Sequence, residues 1–376
     1  MKVHFKINFW DIKCIVKVEV TLKDIIRKAI EKKYSINNFS KKLSISSMSL
    51  YQFLNNKRSM IRTKHLYEIC STLKLDPQKL QKYIIGYKDT NGRNIIYKIH
   101  FPYRFTPKDM RVVACVVGDG TMSRNGISAR WIQKDILPLA HLLKNKLGYN
   151  PESYTDINYI NQISIPSFFI KSFSHIIKEK DLSKKKILER SLKLPEKFKL
   201  ALLIAIIEDE GNVFYRSHHP ISIRMSNLEY LNYIKKLCDS LNYKTSEITM
   251  YSNFATFGNN KMYSLHILSD GIKKLGYDIL EFENKYGKRY GLWKKRENFF
   301  KRWRLCTNQW AEKIRSGRNL TKELVIVMKS ERRFTISELR KITGINRRIL
   351  DSRLKILKNK RYINRIGRGE YSWVHR

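Results

Sequence analysis

The chain has 376 residues, of which 75 are Lys or Arg and 33 are Asp or Glu, so its formal net charge is +42. An excess of this size is typical of a surface that binds a polyanion such as nucleic acid. An anionic membrane is the other candidate partner, but no apolar run approaches the roughly 20 residues of a spanning helix, and the first residues alternate like a strand instead of forming a signal peptide. We therefore expect an intracellular protein, cytoplasmic or nucleoid-associated, with no membrane partner.

The cysteines and the adjacent histidines carry no metal-binding pattern. The cysteines lie far apart without paired spacing, which argues against a zinc site or a disulfide framework. The pair His218-His219 lies in a polar loop and predicts a solvated turn. We expect all five cysteines to be buried apolar residues, at Cys14, Cys70, Cys115, Cys238 and Cys306.

Residues 1–20 alternate like one or two strands, after which the pattern changes to short helices separated by turns. The predicted helices lie at 22–33, 36–43, 47–54, 65–73 and 77–84. Residues 39–57 resemble the second helix, the turn and the recognition helix of the Xre-like helix-turn-helix repressors. The resemblance implies that the first residues of the recognition helix contact base edges, through Ser46, Ser47, Ser49 and Gln52.

A helical bundle that binds a protein is the alternative for this region. The cations around the predicted recognition helix favour DNA, and they are Lys41, Lys42, Lys57, Arg58 and Arg62. Residues 87–105 then predict a linker with a hairpin, because Thr90-Asn91-Gly92-Arg93 is a strong turn signal.

Two short stretches farther along the chain resemble each other. Residues 112–120 read VVACVVGDG and residues 203–211 read LIAIIEDEG, each an apolar run closed by an acid and a glycine. Similar patterns follow Asp119 and Glu210, which indicates an internal duplication. An apolar run that ends in Asp-Gly also suits a buried strand entering a tight hairpin.

The residues before the two runs favour helices over strands. Thr106, Pro107 and Asp109 supply an N-cap hydroxyl, a proline at the first helical position and an acid in the first turn. Pro195-Glu196 opens the second run in a similar way. Both runs are therefore predicted to be helices, with the closing glycines, Gly120 and Gly211, as C-cap residues.

The paired runs resemble the motifs of the LAGLIDADG homing endonucleases, in the form that carries both copies in one chain. The resemblance implies two motif helices packed side by side on a pseudo-two-fold axis, with Asp119 and Glu210 brought together. Small residues at Ala114, Gly118 and Ala205 would permit the close approach. Val117 departs from the family pattern because it replaces the first acid of the motif, and Asp209 departs from it by adding an acid.

The same resemblance implies a metal-dependent site. Carbonyl ends of helices carry partial negative charge, and with carboxylates they form a hard-oxygen site that suits Mg²⁺ (or Mn²⁺). Such a metal activates water and stabilises the leaving oxygen in phosphodiester hydrolysis. The predicted metal ligands are Asp119, Glu210, Gly118 and Asp209.

Further polar residues are expected around the metal. Gln133-Lys134 resembles the family's polar element in the first copy, whereas the second copy has Met225-Ser226. Lys261 lies where the second repeat often carries its catalytic lysine, but the first copy has Asn161-Gln162 there. Gln133 and Lys261 are thus candidate catalytic residues next to Asp119 and Glu210. Ordinary exposed strand residues on a basic surface are the alternative for Gln133, Lys134 and Lys261.

The most basic stretch, 285–304, interleaves nine cations with six aromatic residues. This pattern suits phosphate contacts backed by packing, or stacking on bases. The alternative is an amphipathic helix whose Trp293, Phe300 and Trp303 belong to a core while its cations still face DNA. DNA contacts are expected from the strands of the two repeats and from this basic stretch. They are Arg130, Lys134, Arg224, Lys294, Lys295 and Arg296.

The last block resembles a winged helix. Helices are predicted at 324–329, 335–342 and 347–358, followed by two strands around a glycine turn at 361–374. If the third helix enters the major groove, the expected contacts are Arg347, Arg348 and Arg353, with Arg368 at the tip of the wing. A winged helix used for protein contact is the alternative.

These patterns predict an α+β protein in which a duplicated αββαββα core of antiparallel saddle sheets lies between an all-α helix-turn-helix domain and a winged helix. The predicted domains are 1–20, 21–86, 87–105, 106–194, 195–280, 281–318 and 319–376. The leading hypothesis is a monomeric, Mg²⁺-dependent endonuclease that makes a double-strand break at a long DNA site. A transcription regulator built on a retired nuclease core is the alternative, and an RNA-splicing maturase is a third candidate.

Overall fold

The computed structural model describes residues 4–88, 95–123, 129–133, 135–147, 162–213, 221–251, 261–311, 320–331, 333–343, 345, 347–367 and 369–374. The chain divides into two compact units, Met1–Lys186 and Ile187–Arg376. None of the helices in the described ranges combines the length and the hydrophobicity that a bilayer-spanning segment needs.

The first unit begins with a group of short helices. Strands β1 (Phe5–Ile7) and β2 (Ile15–Val18) precede five helices, which are α1 (Val20–Glu31), α2 (Ile36–Lys42), α3 (Ser47–Leu54), α4 (Thr63–Thr72) and α5 (Pro77–Leu80). Helices lie at all five predicted places and α3 has the predicted bounds, but α5 ends at Leu80 instead of Ile84. The prediction of an all-α domain over 21–86 is wrong, because the strands Met60–Arg62 and Ile84–Lys88 belong to it. The helices enclose a small apolar core to which Ile26, Phe39, Phe53 and Ile69 contribute fully buried side chains.

A three-stranded antiparallel sheet packs beside these helices. Its strands are β3 (Met60–Arg62), β2 and β4 (Ile84–Lys88), in the order β3-β2-β4. Ile15 of β2 lies opposite Arg62 on one side and Lys88 on the other. The residues that precede α1 are therefore the central strand of a sheet that belongs to the helical group.

The N-terminal strand β1 pairs with β5 (Tyr103–Phe105), placing Phe5 opposite Phe105. This long-range pair leads directly into the first motif helix, α6 (Pro107–Ala114). The predicted turn at 90–93 lies outside the described residues. The rest of the predicted linker is only partly exposed to solvent: Tyr97 is 52% exposed, but four other apolar side chains are buried, namely Ile96, Ile99, Phe101 and Phe105.

An aromatic cluster joins the helical group to the rest of this unit. The Phe168 ring packs edge to face against Tyr87, with 5.1 Å between ring centroids, and against Tyr103, with 4.7 Å. The Tyr87 hydroxyl lies 3.0 Å from Ser167 Oγ. Edge-to-face aromatic pairs contribute about 0.5–1.5 kcal/mol each beyond their burial, so the predicted linker is part of a packed core.

The two units repeat one order of elements around their motif helices. In the first unit, α6 is followed by β6 (Gly120–Met122), β7 (Ala129–Ile132), α7 (Leu137–Leu147), β8 (Gln162–Ile165), α8 (Ser167–Ile177) and α9 (Lys184–Ser191). In the second, α10 (Glu196–Glu210) is followed by β9 (Gly211–Asn212), β10 (Ile221–Met225), α11 (Leu228–Ser240), β11 (Thr249–Tyr251), β12 (Met262–Ile267) and α12 (Ser269–Tyr286).

The sheets of the two repeats have matching strand orders. They are antiparallel, with the orders β6-β7-β8 and β11-β12-β10-β9. Of the second strand pair in the predicted αββαββα plan, only β8 lies in the described part of the first repeat, because residues 148–161 lie outside it. Within the described residues, the order of helices and strands recurs in the two units.

Of the two motif glycines, Gly211 is the predicted C-cap of its helix, whereas Gly120 is not. Helix α6 ends at Ala114 and continues as a turn, so Gly120 is the first residue of β6. Gly211 does follow α10, but its φ of −75° is extended and not left-handed. A Cβ at Gly120 would lie 2.4 Å from Val116 Cα, and one at Gly211 would lie 2.5 Å from the Ile207 carbonyl oxygen. Glycine thus permits each strand to fold back against the end of its motif.

The second unit closes with the predicted C-terminal elements. They are α13 (Arg296–Ala311), α14 (Leu320–Glu331), β13 (Arg333–Thr335), α15 (Ile336–Thr343), α16 (Arg347–Asn359), β14 (Ile363–Gly367) and β15 (Glu370–Trp373). The strands form a sheet in the order β13-β15-β14. Phe300 and Trp303 are buried, as their amphipathic pattern predicts, and Trp303 Nε1 donates to the Lys273 carbonyl at 3.1 Å. All five cysteines are buried and free, which confirms that prediction.

Candidate nucleic-acid interface and motif acids

The recognition helix α3 is fixed at its start by serine hydroxyls. Ser46 Oγ accepts the backbone N–H of Ser49 at 3.1 Å and donates to the Ser49 hydroxyl at 2.7 Å. The Ser47 hydroxyl lies 2.7 Å from the Ser40 hydroxyl on α2. Of the predicted contacts, Ser46 is exposed and Ser47, Ser49 and Gln52 are half-buried. Ser46 is thus the most open of the four, while Ser47 ties α3 to α2.

Two large apolar side chains of α3 that were not among the predicted contacts are exposed to solvent. Met48 is 65% exposed and Tyr51 is 46% exposed, although both have large apolar side chains. They are three positions apart on α3 and therefore lie on one face of the helix. Apolar side chains in the major groove contact the methyl group of thymine. The other apolar residues of this helix, Leu50, Phe53 and Leu54, are buried. The spacing of Met48 and Tyr51 on the opposite face was the sequence signal that could have identified them.

The end of α3 is held by two cations from α1. Lys23 Nζ donates to Asn56 Oδ1 and to the Arg58 carbonyl, both at 2.9 Å. Arg27 donates to the Leu54 carbonyl. Lys23 is only 2% exposed, and this burial, helped by the positive charge of Arg27, lowers the pKa of its ammonium. Arg27 thus satisfies a carbonyl that the end of α3 leaves without a partner in the helix, and Lys23 holds the residues that follow α3 against α1.

The first motif acid is held between two side chains of its own unit. Asp119 is half-buried and accepts a hydrogen bond from Gln133 Nε2. Lys184, the first residue of α9, donates to the Gly118 carbonyl at 2.7 Å. Gly118, Asp119 and Gln133 therefore lie close together at the end of the first motif. The predicted contact Arg130 is exposed on β7, while Lys134 lies outside the described residues.

The second motif uses its extra acids differently. Glu208 is buried and accepts the backbone N–H groups of Trp293, at 2.8 Å, and of Lys294, at 3.0 Å. Lys295 Nζ donates to the carbonyls of Ile207 and Asp209, both at 3.1 Å. The sequence reasoning assigned no role to Glu208, although a third acid in the run 208–210 was a signal that one carboxylate serves the fold.

Each unit thus places a lysine on main-chain carbonyls at the end of its motif. Lys184 begins the helix after α8, and Lys295 directly precedes α13, the helix after α12. An ammonium there opposes the partial negative charge of the exposed carbonyls. No role was predicted for Lys184. The only sequence feature that marks it is the run of lysines at 184–186, which follows α8. Lys295 was predicted to contact DNA.

The other residues of the second unit that were predicted to contact DNA or metal differ in their exposure and their partners. Arg224 is half-buried on β10, and Arg296 donates to the Glu283 carboxylate at 2.8 Å. Lys294 and Lys261 are exposed, Lys261 directly before β12. Asp209 and Glu210 are half-buried at the end of α10. Within the described ranges no three His, Cys, Asp or Glu side chains are grouped so as to hold a metal ion.

The C-terminal contacts were predicted on the third helix and the wing. Arg347 is exposed at the start of α16 and lies 3.9 Å from Asp351, while Arg353 is half-buried. The Arg348 side chain and Arg368 lie outside the described residues. Tyr362 and Trp373 stack across the two last strands, with ring centroids 5.9 Å apart.

Residues 25–84 match the model of the Cro/C1-type helix-turn-helix DNA-binding domain. The match spans α2 and α3, and so it includes the Xre-like segment and its exposed recognition helix. The comparison with curated proteins gave no match. A helix-turn-helix DNA-binding domain is therefore present in the first unit.

Proposed function

We propose that the chain is a monomeric regulator that binds a specific double-stranded DNA sequence through α3 and uses its duplicated core as a DNA-binding scaffold without cleavage. The observation that carries the proposal is the Cro/C1-type domain with an anchored recognition helix, whose exposed face presents Ser46, Met48 and Tyr51. Helices of this class read base edges from the major groove. The net charge of +42 supplies the phosphate affinity on which such binding depends.

The lysines on the motif carbonyls support a non-cleaving core. A carbonyl at the end of a motif is a ligand that a divalent cation would need, and the Gly118 carbonyl already accepts a hydrogen bond from Lys184. In the second motif the carbonyls of Ile207 and Asp209 are bound by Lys295. A protein ammonium thus supplies part of the positive charge that a metal would bring.

A Mg²⁺-dependent endonuclease is the second candidate, favoured by the contact between Gln133 and Asp119. An amide that orients a carboxylate beside a main-chain carbonyl is a common outer-shell arrangement around a metal. The donor chemistry fits, because carboxylate and carbonyl oxygens are the ligands that Mg²⁺ prefers. In the first unit Asp119 and the Gly118 carbonyl would hold an ion; in the second unit Asp209 and Glu210 would do so, with Lys261 as the catalytic lysine. An RNA maturase is a weaker candidate, since no described feature favours RNA over duplex DNA.

One experiment separates these functions. The purified chain would select duplexes from a random pool, and the bound duplex would then be incubated with Mg²⁺, with Mn²⁺ or with EDTA before its ends are sequenced. Selective binding without breaks in either metal is the expected result. Metal-dependent breaks at one position, lost in Asp119→Asn, would overturn the regulator in favour of the nuclease. Failure to bind duplex DNA, with binding to a structured RNA, would overturn both.

A further inference from the structure

A cleft of about 420 Å³ lies beside the recognition helix, between the start of α3 and the sheet β3-β2-β4. Its floor is apolar and includes Leu50, Phe53 and Ile61. Its rim carries the cations Arg58, Arg62 and Lys88. Most of the lining belongs to the matched Cro/C1-type domain, but Ile15 of the central strand β2 and Lys88 of β4 lie outside the matched residues.

The sheet register places two of these cations at a defined separation. Arg62 and Lys88 are the two direct partners of Ile15, one on each neighbouring strand. Residues directly opposite in antiparallel strands point to the same face, and two strand spacings separate the outer pair by about 10 Å. Arg62, Ile15 and Lys88 thus form one row across the sheet, and all three line the cleft.

The charge of the cleft has a single sign. No lining residue in the described part of the chain is acidic, and within those ranges no ion pair joins Arg58, Arg62 or Lys88 to a carboxylate. Arg58 and Arg62 are exposed, and Lys88 is half-buried. Cations that no protein carboxylate neutralises can bind the phosphates of a partner. The apolar floor between them can contact the apolar edge of a sugar.

We propose that this cleft binds the sugar-phosphate backbone of the DNA strand that borders the major groove occupied by α3. Ser46 and Ser49 line both the cleft and the start of the recognition helix, so a duplex contacted by α3 passes directly over the rim. Arg62 and Lys88 then neutralise phosphates, and the floor contacts deoxyribose. The sheet acts as a wing, and this role rests on the proposed DNA binding by α3.

The test compares two charge-matched double variants of the full chain. Arg62→Gln with Lys88→Gln removes the row in the cleft, and Lys79→Gln with Lys82→Gln removes two exposed cations of the same unit that do not line it. Affinity for the selected duplex would be measured by fluorescence anisotropy at several salt concentrations. Ethylation interference would then map the phosphates that each protein needs.

Each phosphate contact contributes about 0.9 to the slope of log affinity against log salt. The cleft variant should therefore lose about 1.8 from this slope and should lose interference at one cluster of phosphates beside the recognition-helix site. The control should keep both. An unchanged slope and an unchanged phosphate map in the cleft variant would overturn the cleft as a backbone site, as would equal losses in the control. Absence of wild-type binding to any duplex would instead refute the proposed function.

Discussion

Glu208 gives the sharpest test of how the second motif is built. Its buried carboxylate accepts two backbone N–H groups, from Trp293 at 2.8 Å and from Lys294 at 3.0 Å. A hydrogen bond to a charged group contributes about 1.5–3 kcal/mol, and a buried donor left without an acceptor costs about 1–3 kcal/mol. Glu208→Ala should therefore destabilise the segment around residues 293–295 by about 3 kcal/mol.

The measurement is amide hydrogen exchange of the full chain, followed by mass spectrometry of peptides that cover 293–295. A loss of about 3 kcal/mol corresponds to exchange faster by roughly a hundredfold, because each 1.4 kcal/mol is a factor of ten. Glu208→Gln is the matched control, since its amide oxygen still accepts one N–H and exchange should rise by a smaller factor. Equal exchange in the wild type and in Glu208→Ala would refute the assignment of this carboxylate to the fold.

Three further predictions follow from buried groups. Gly276→Ala would place a Cβ 2.1 Å from the Trp303 ring, and such overpacking costs about 1–3 kcal/mol of folding free energy. Calorimetry should therefore find a lower Tm for the second unit, and an unchanged Tm would contradict this packing. Burial raises the pKa of Glu283, so the folded state keeps the proton at a pH where the unfolded state has lost it. The contribution of Glu283 to the free energy of unfolding should fall as pH rises through that window, and Glu283→Gln should flatten the pH profile measured by calorimetry; a profile equally steep in the variant would count against it. Lys23→Met removes two hydrogen bonds at the end of α3 and should weaken binding to the selected duplex severalfold. Lys28→Met, on the exposed side of α1, should leave the affinity unchanged. Equal losses of affinity in the two variants would mean that the loss of one positive charge, and not the position of α3, weakens binding.

Local signals made the helices predictable. Helix α3 was predicted with its observed bounds because an N-cap serine and a run of helix-forming residues define it from within. The first motif was less regular, since α6 stops at Ala114 and the valines at 116 and 117 lie in a turn. Valine has low helix propensity, and the contact of Gly120 with Val116 favours the turn.

Long-range pairings were not predictable from the sequence. Nothing local relates Phe5 to Phe105, yet their pairing makes the N-terminal strand part of the first repeat. The predicted linker was read from its turn signal, whereas Ile99 and Phe101 are buried because an aromatic cluster lies beside them. For the site, the family resemblance implied that Gln133 lies near Asp119, but which lysine reaches a motif carbonyl depends on the packing of a later helix.

The lysines on the motif carbonyls also limit how a nuclease would have to work. Coordination of a divalent cation by the Gly118 carbonyl requires that Lys184 leave it, since the ammonium lies 2.7 Å away and like charges at such a distance repel. Lys184 would then be free to approach the phosphate that carries the negative charge. A regulator needs no such exchange, because the Lys184 ammonium already donates to the Gly118 carbonyl. Whether the core cleaves therefore depends on whether a metal displaces these two lysines, and the Asp119→Asn comparison with and without Mg²⁺ addresses that exchange directly.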